Sequence, residues 1–190
     1  MRYVSIDMES CGLVSEECDI LEFGAVIDDL SSALPVDSLP VFHCYFAKEY
    51  YKGQPYALSM HPKIFRRIAE REAGYNYYQA NKFSYYFKKF LMSNGYNEID
   101  NRVIINVAGK NFGACDLQFL KNQTDINKHV KIRHRIIDPG TMYMRQDDDS
   151  IPGLEECLRR AELEPNVEHE SVPDAKDVIK LIRKHYGLPI

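Results

Sequence analysis

The first 50 residues contain three consecutive runs with the pattern of β-strands, and this succession constrains the fold more than any other feature. The runs are RYVSIDM, DILEFGAVIDDL and SLPVFHCYFA, joined by short links. Strands joined in this way pair as antiparallel neighbours, because parallel neighbours need a long crossover between them. The sequence therefore predicts an antiparallel three-strand meander.

The periodicity changes to that of helices after the third run. The segment HPKIFRRIAERE carries Pro62 near a helix start and repeats apolar residues on one helical face. A second helix is predicted over residues 77–92, ended by Asn94 and Gly95. This block interposes helices between the meander and the next strand.

Strands and helices then alternate along the second half. NRVIINVAG is an apolar run typical of a buried strand, a helix follows through Leu117 and Leu120, and HRIIDPG is the last predicted strand. Closing helices are predicted over residues 153–161 and 174–186. The expected fold is an α/β domain spanning residues 1–190. Its mixed β-sheet combines the meander with two parallel strands, flanked by helices on both faces.

Composition excludes several classes of protein. The 190 residues carry a net charge of −4, which disfavours broad binding to long duplexes, and no apolar run is long enough for a membrane span or a signal peptide. The five cysteines form no CxxC pair, so neither a disulfide framework nor a zinc knuckle is expected. A reducing, cytoplasmic location fits this pattern best.

Four acidic residues and one histidine stand in distinct local contexts across the chain. Asp7 and Glu9 are one residue apart on the first strand, Asp116 follows the fourth strand, and His169 and Asp174 surround the start of the last helix. Carboxylates gathered by folding would repel one another unless divalent cations neutralised them. The pattern indicates a metal site for phosphoryl transfer.

These segments resemble the three motifs of the DEDDh family of 3′-5′ exonucleases, over residues 2 to 186. Asp7 and Glu9 match the first motif, Asp116 the second, and His169 with Asp174 the third. The segment VAGKNFGACDLQFL is most similar to the oligoribonuclease branch.

The resemblance implies a ribonuclease H-like fold and a two-metal mechanism with Mg²⁺ or Mn²⁺. Asp7 would bridge both ions, Glu9 and Asp174 would serve the nucleophile side, and Asp116 would hold the other ion directly or through water. The implied substrate is the 3′ end of single-stranded RNA or DNA, from which nucleoside 5′-monophosphates are released. Family members often form homodimers, so a homodimer is expected by analogy.

His169 is the predicted general base. Free imidazole titrates near pH 6.5, so a histidine beside the attacking water can accept its proton near neutral pH. The spacing of His169 from Asp174 matches the family motif, which is the reason for choosing it over a structural role.

Other residues admit two interpretations. Ser10, Leu13 and Asn111 are candidate substrate contacts, or turn and capping residues. Glu22 lies either near the site or at a sheet edge. The aromatic tract around residues 75–91 favours core packing over base stacking, with Tyr77, Tyr78, Tyr85 and Tyr86 as candidate exceptions. Lys63, Arg66 and Arg67 favour a solvated helix face over a phosphate clamp.

Three further functions remain as alternatives to a general single-strand exonuclease. One is an oligoribonuclease confined to very short RNA, another is a non-catalytic nucleic-acid or protein-interaction module of the same fold, and the third is a phosphatase acting on small phosphates. Every acidic position expected of a metal site is present, which favours an enzyme.

Overall fold

The structure, a computed structural model, describes residues 1–165 and 169–190. Its centre is a mixed sheet whose described strands are β1 (Arg2–Ser10), β2 (Ile20–Asp29), β3 (Val41–Phe46), β4 (Tyr77–Tyr78), β5 (Glu98–Ile99), β6 (Arg102–Ala108) and β7 (Val130–Ile137). The order is β4-β3-β2-β1-β6, and β6 also pairs with β5 and β7.

Strand directions agree with the predicted sheet. Strands β1, β2 and β3 form an antiparallel meander, while β6 is parallel to both β1 and β7. The carboxyl ends of β1 and β6 therefore lie at the same edge of the sheet. This edge receives Asp7 and Glu9 at the end of β1 and the loop that leads from β6 to Asp116.

The described helices are a 3-10 turn at Val36–Ser38, α1 (Pro55–Met60), α2 (Pro62–Glu70), α3 (Phe83–Ser93), α4 (Asp116–Gln123), α5 (Ile126–His129), α6 (Pro139–Met142), α7 (Leu154–Arg160) and α8 (Ser171–His185). None of the helices in the described ranges is long and apolar enough to cross a membrane.

The two sides of β1 pack against different helices. Val4 and Ile6 belong to the larger buried cluster, which includes residues of α2, α3 and α4. Tyr3 belongs to a second cluster built with α8. Because alternate strand residues face opposite sides, the sheet separates these clusters, with helices on both faces. Asp7 and Glu9 share the parity of Tyr3 and face α8.

Two predicted boundaries were wrong. Tyr77 and Tyr78 do not begin a helix but pair with β3, and α3 starts only at Phe83. The Tyr77 hydroxyl donates to the carbonyl oxygens of Arg67 and Glu72, which holds this aromatic pair extended beside the sheet. The last helix begins at Ser171, three residues before the predicted start.

The aromatic tract contributes mainly to the core. Phe83 and Phe87 are fully buried, and Phe90 packs against the same cluster. Tyr78 stacks on Tyr86 with ring centroids 4.3 Å apart. The prediction of core packing is confirmed for the phenylalanines.

Candidate metal and catalytic site

One cleft of about 370 Å³ brings together all eight residues that the sequence indicated as site residues. It lies at the edge of the sheet where β1 and β6 end. Its lining includes Asp7, Glu9, Ser10, Leu13, Asn111, Asp116, His169 and Asp174.

Strand β1 places two carboxylates on the face that α8 covers. Asp7 and Glu9 are separated by one residue and therefore point to the same side of the sheet. In the register with β2, Glu9 stands opposite Glu22 and Asp7 opposite Gly24. The register shifts directly after Glu9, a β-bulge of the kind that often re-aims side chains beside active sites.

Gly24 allows the start of α8 to approach the sheet beside Asp7. A Cβ at this position would lie 2.6 Å from the carbonyl carbon of Ser171 and 2.7 Å from its Oγ, so any side chain would displace the helix. Asp174 lies in the first turn of α8 and is buried. One ligand atom from each of Asp7, Glu9 and Asp174 lies within 4.8 Å of the others.

Asp116 reaches the cleft from the first residue of α4. Gly109 begins the loop that leads to it, and a Cβ there would lie 2.6 Å from the carbonyl oxygen of Ile6. The absence of a side chain at Gly109 therefore lets this loop lie against β1. Asp116 is not a member of the close acidic triad formed within the described residues, but it is buried in the same cleft.

The carboxylates of the cleft bind protons far more tightly than exposed acids. Burial, followed by the charges of Asp116 and Glu9, raises the pKa of Asp7 well above its usual range. Burial, Glu22 and Asp174 raise the pKa of Glu9 to about 9. Burial also raises the pKa of Asp116 to about 7, although the backbone amides of Asp116 and Met8 oppose this rise.

The donor set fits a hard divalent cation. Carboxylate oxygens are the ligands that Mg²⁺ and Mn²⁺ prefer, and a bound cation would remove the repulsion that raises these pKa values. Within residues 1–165 and 169–190, no Lys or Arg forms an ion pair with Asp7, Glu9 or Asp116. The positive charge that this cluster needs is therefore one that a ligand can supply.

Glu22 lies at the site and not at an exposed edge. Its side chain is buried beside Glu9, and its Oε2 accepts a hydrogen bond of 3.0 Å from the amide of Ser171. The ring of His43 lies 2.5 Å from the other carboxylate oxygen. Glu22 thus connects β2 and β3 to the first residue of α8, the helix that carries Asp174.

His169 lies at the cleft, two residues before α8 begins. It is exposed, and its φ of 53° lies in the left-handed region, where residues other than glycine are uncommon. The next residue, Glu170, forms ion pairs with Lys63 and Arg67 of α2. The expectation of a solvated helix face was wrong for Arg67, which is buried, whereas Lys63 and Arg66 are exposed.

A second histidine at the site was missed at the level of sequence. His61 is buried, and its Nε2 lies 3.5 Å from Oε2 of Glu9. Burial lowers the pKa of His61, and the charge of His169 lowers it further. His61 lies between α1 and α2, directly before Pro62, and its contact with Glu9 joins residues far apart in the sequence.

The three candidate substrate contacts differ in their surroundings. The Ser10 hydroxyl donates to the carbonyl oxygen of Gly12. Asn111 has a left-handed φ of 55°, and its backbone N–H donates to the carboxylate of Asp138. Both therefore shape turns as well as lining the cleft. Leu13 is 81% exposed and projects from the turn after β1, so its side chain is available for contact with a ligand.

A larger groove of about 840 Å³ lies beside the same turn, along residues 15–19, 48–50, 52 and 122–123. Its charged groups are partly neutralised within the protein, since Lys48 forms an ion pair with Asp19. The carboxylates that face one another lie in the smaller cleft.

A comparison of the chain with known protein families finds no matching family, and a search of curated proteins finds no significant relative. The candidate site is therefore argued from the chain's own residues.

Proposed function

We propose that this protein is a metal-dependent 3′-5′ exonuclease of the DEDDh type with a ribonuclease H-like fold. Its substrate would be single-stranded nucleic acid, from whose 3′ end it would release nucleoside 5′-monophosphates. The observation that supports this function best is the close approach of Asp7, Glu9 and Asp174, within 4.8 Å, in a cleft shared with Asp116 and His169. A single domain over residues 1–190, a cytoplasmic location and a homodimer belong to the same proposal.

Asp7, Glu9 and Asp174 would hold one of two Mg²⁺ or Mn²⁺ ions, and Asp7 with Asp116 would hold the other. Two such ions, when bound, lower the cost of deprotonating an attacking water and stabilise negative charge on the leaving oxygen. The buried carboxylates support this role, since their raised pKa values are those of a cluster short of positive charge.

His169 would accept the proton of the attacking water as its oxygen bonds to phosphorus. As this bond forms, the bond from phosphorus to the 3′ oxygen of the preceding nucleotide breaks. The 3′ oxygen takes up a proton from bulk water and becomes the new 3′ hydroxyl, and a nucleoside 5′-monophosphate is released. A general base contributes about 10²- to 10⁴-fold to such a step. Ser10, Leu13 and Asn111 line the cleft and would orient the terminal nucleotide.

The test is digestion of a 5′-labelled single strand by purified protein with Mg²⁺ or Mn²⁺. We expect stepwise shortening that a chelator stops, loss of activity in Asp7→Ala, and a turnover about 10²-fold slower in His169→Ala with little change in KM. Asp147→Ala removes an exposed acid outside the cleft and is the matched control.

The length and sugar of the substrate separate the alternatives. Ladders of RNA and DNA from two nucleotides upward would show an oligoribonuclease as activity confined to the shortest RNA. Release of phosphate from small monoesters with intact strands would indicate a phosphatase. Binding of strands without cleavage, under every metal condition, would reject the exonuclease in favour of a binding module.

A further inference from the structure

The two residues that follow His169 in the chain, Glu170 and Ser171, each contact a different element of the protein. Ser171 donates its amide to Glu22 of β2, and Glu170 is bound by Lys63 and Arg67 of α2. The first contact fixes where α8 begins, and hence the position of Asp174. The second contact fixes the chain immediately before the helix.

Arg67 is a rigid partner for Glu170. It is buried, its Nη1 donates to Oε2 of Glu170 at 2.9 Å and to the Tyr45 hydroxyl at 2.9 Å, and its guanidinium lies 4.7 Å from the ring centre of Tyr75. Lys63 lies one helical turn earlier on the same face of α2 and binds the other oxygen of Glu170.

The charge of Glu170 is favoured by this contact even though the residue is half-buried. Burial alone would raise its pKa, but Lys63 and Arg67 lower it below the usual value. Charge-assisted hydrogen bonds of this kind are stronger and more directional than neutral ones. Glu170 therefore remains an anion that holds the chain against α2.

We propose that Glu170 is a positioning residue, which acts through Arg67 and Lys63 to hold the segment carrying His169 over the acidic cleft. The proposal rests on the proposed nuclease function, in which His169 is the general base. Because His169 adopts a left-handed backbone next to an extended Glu170, the direction of its side chain depends on where Glu170 is held. Glu170 itself would touch neither substrate nor metal.

The kinetic test compares Glu170→Gln and Lys63→Met with Glu72→Gln. Glu72 is the matched control, since it pairs with the neighbouring Arg66 of the same helix. We expect kcat to fall about tenfold in Glu170→Gln and less in Lys63→Met, because misplacement of a catalytic group by about 1 Å lowers rates up to about 10²-fold. KM and the Mn²⁺ affinity measured by calorimetry should stay within about twofold of the wild-type values.

A second comparison shows whether Glu170 acts through His169. In the His169→Ala background, Glu170→Gln should have almost no further effect on kcat, as expected for two residues that serve one step. An equal tenfold loss in both backgrounds would overturn the proposal, as would a Glu170→Gln variant as active as Glu72→Gln.

A measurement without substrate or metal separates this proposal from the proposed function. Backbone ¹⁵N relaxation should show greater motion at the His169 amide in Glu170→Gln, with Val178 in the middle of α8 unchanged. If the wild type cleaves no strand but this loosening occurs, the nuclease function fails and the positioning contact stands. If the wild type cleaves but His169 is not loosened and kcat is unchanged, only the positioning proposal fails.

Discussion

The two ends of α8 lie over the same face of β1 and β2, but the carboxylates at these ends have opposite surroundings. Near the C-terminal end, Arg183 is fully buried and binds both oxygens of Asp28, at 2.6 and 3.2 Å. The Tyr3 hydroxyl donates to the same carboxylate at 2.8 Å. Near the N-terminal end, Asp174 approaches Asp7 and Glu9, and acid faces acid.

The difference separates a carboxylate that a neighbouring arginine neutralises from carboxylates that are gathered close to one another. Arg183 supplies the positive charge that Asp28 requires, and it also donates to the carbonyl oxygens of Leu34 and Pro189, so this end is complete within the chain. At the other end, burial and like charges raise the pKa of Asp7 and Glu9. Under the proposed function, bound cations would compensate for this loss of stability.

The largest expected effect is at the paired end. Arg183→Met should lower the free energy of unfolding by about 3–5 kcal/mol, because it leaves the buried charge of Asp28 without its partner. Denaturant melts of the metal-free protein measure this change. The control is Lys180→Met on the same helix, whose pair with Asp177 is partly exposed and should contribute about 0.5 kcal/mol or less. Similar losses in both variants would remove the distinction between the two ends.

The second prediction concerns pH at the N-terminal end of α8, where Asp7, Glu9 and Asp174 meet. Glu9 and Asp116 have folded-state pKa values of about 9 and about 7, above those of unfolded carboxyls. The folded state then binds more protons than the unfolded state, so stability is greatest below the unfolded pKa and falls as pH rises through 7 and toward 9. The metal-free protein should therefore lose stability steadily between pH 5 and 8, by at most about 1.4 kcal/mol per pH unit for each titrating carboxyl.

Two additions sharpen this pH test. Glu9→Gln should flatten the dependence, since it removes one of the titrating carboxyls of the cleft. Saturating Mg²⁺ or Mn²⁺ should raise the melting temperature more at pH 8 than at pH 6, because the ions compete with protons for the carboxylates. A metal-free protein whose stability rises over this range would contradict the crowding of acids in the cleft.

The features of the site that follow local patterns were predictable from sequence. The alternation along β1 places Asp7 and Glu9 on one face, and Asp174 follows from its position near a helix start. The three-strand meander was likewise predictable, because the periodicity of its strands and the shortness of their links are local features of the sequence.

The features of the site that could not be predicted from sequence are contacts between residues far apart in the chain. The contact of Glu170 with Arg67 joins residues 103 positions apart, and that of Glu22 with Ser171 joins residues 149 apart. In neither pair does the local sequence around one residue indicate that it contacts the other. Tyr77 and Tyr78 form a strand because β3 offers them an edge to pair with, although the sequence around them continues into a helix.

The third prediction exchanges one acid of the cleft for a neutral group of the same shape. Asp7→Asn should stabilise the metal-free protein by roughly 1 kcal/mol or more at pH 8, because it removes an ionisable group crowded by like charges in the cleft. The same substitution should remove the stabilisation by Mn²⁺. Asp28→Asn at the paired end should instead destabilise the protein, so the two variants should move the melting temperature in opposite directions.

The smallest expected effect is at the hydroxyl of Tyr3, which completes the paired end. Burial, together with the charge of Asp28, raises the pKa of Tyr3, so the hydroxyl remains a donor to that carboxylate. Tyr3→Phe should cost about 1 kcal/mol in denaturant melts, since Arg183 still binds Asp28. Tyr143→Phe is the comparison, because its hydroxyl donates to the neutral carbonyl of Leu181 on the same helix. A greater loss in Tyr3→Phe would show that the Asp28 charge strengthens its bonds, whereas equal losses would assign the stability of this end to the ion pair with Arg183 alone.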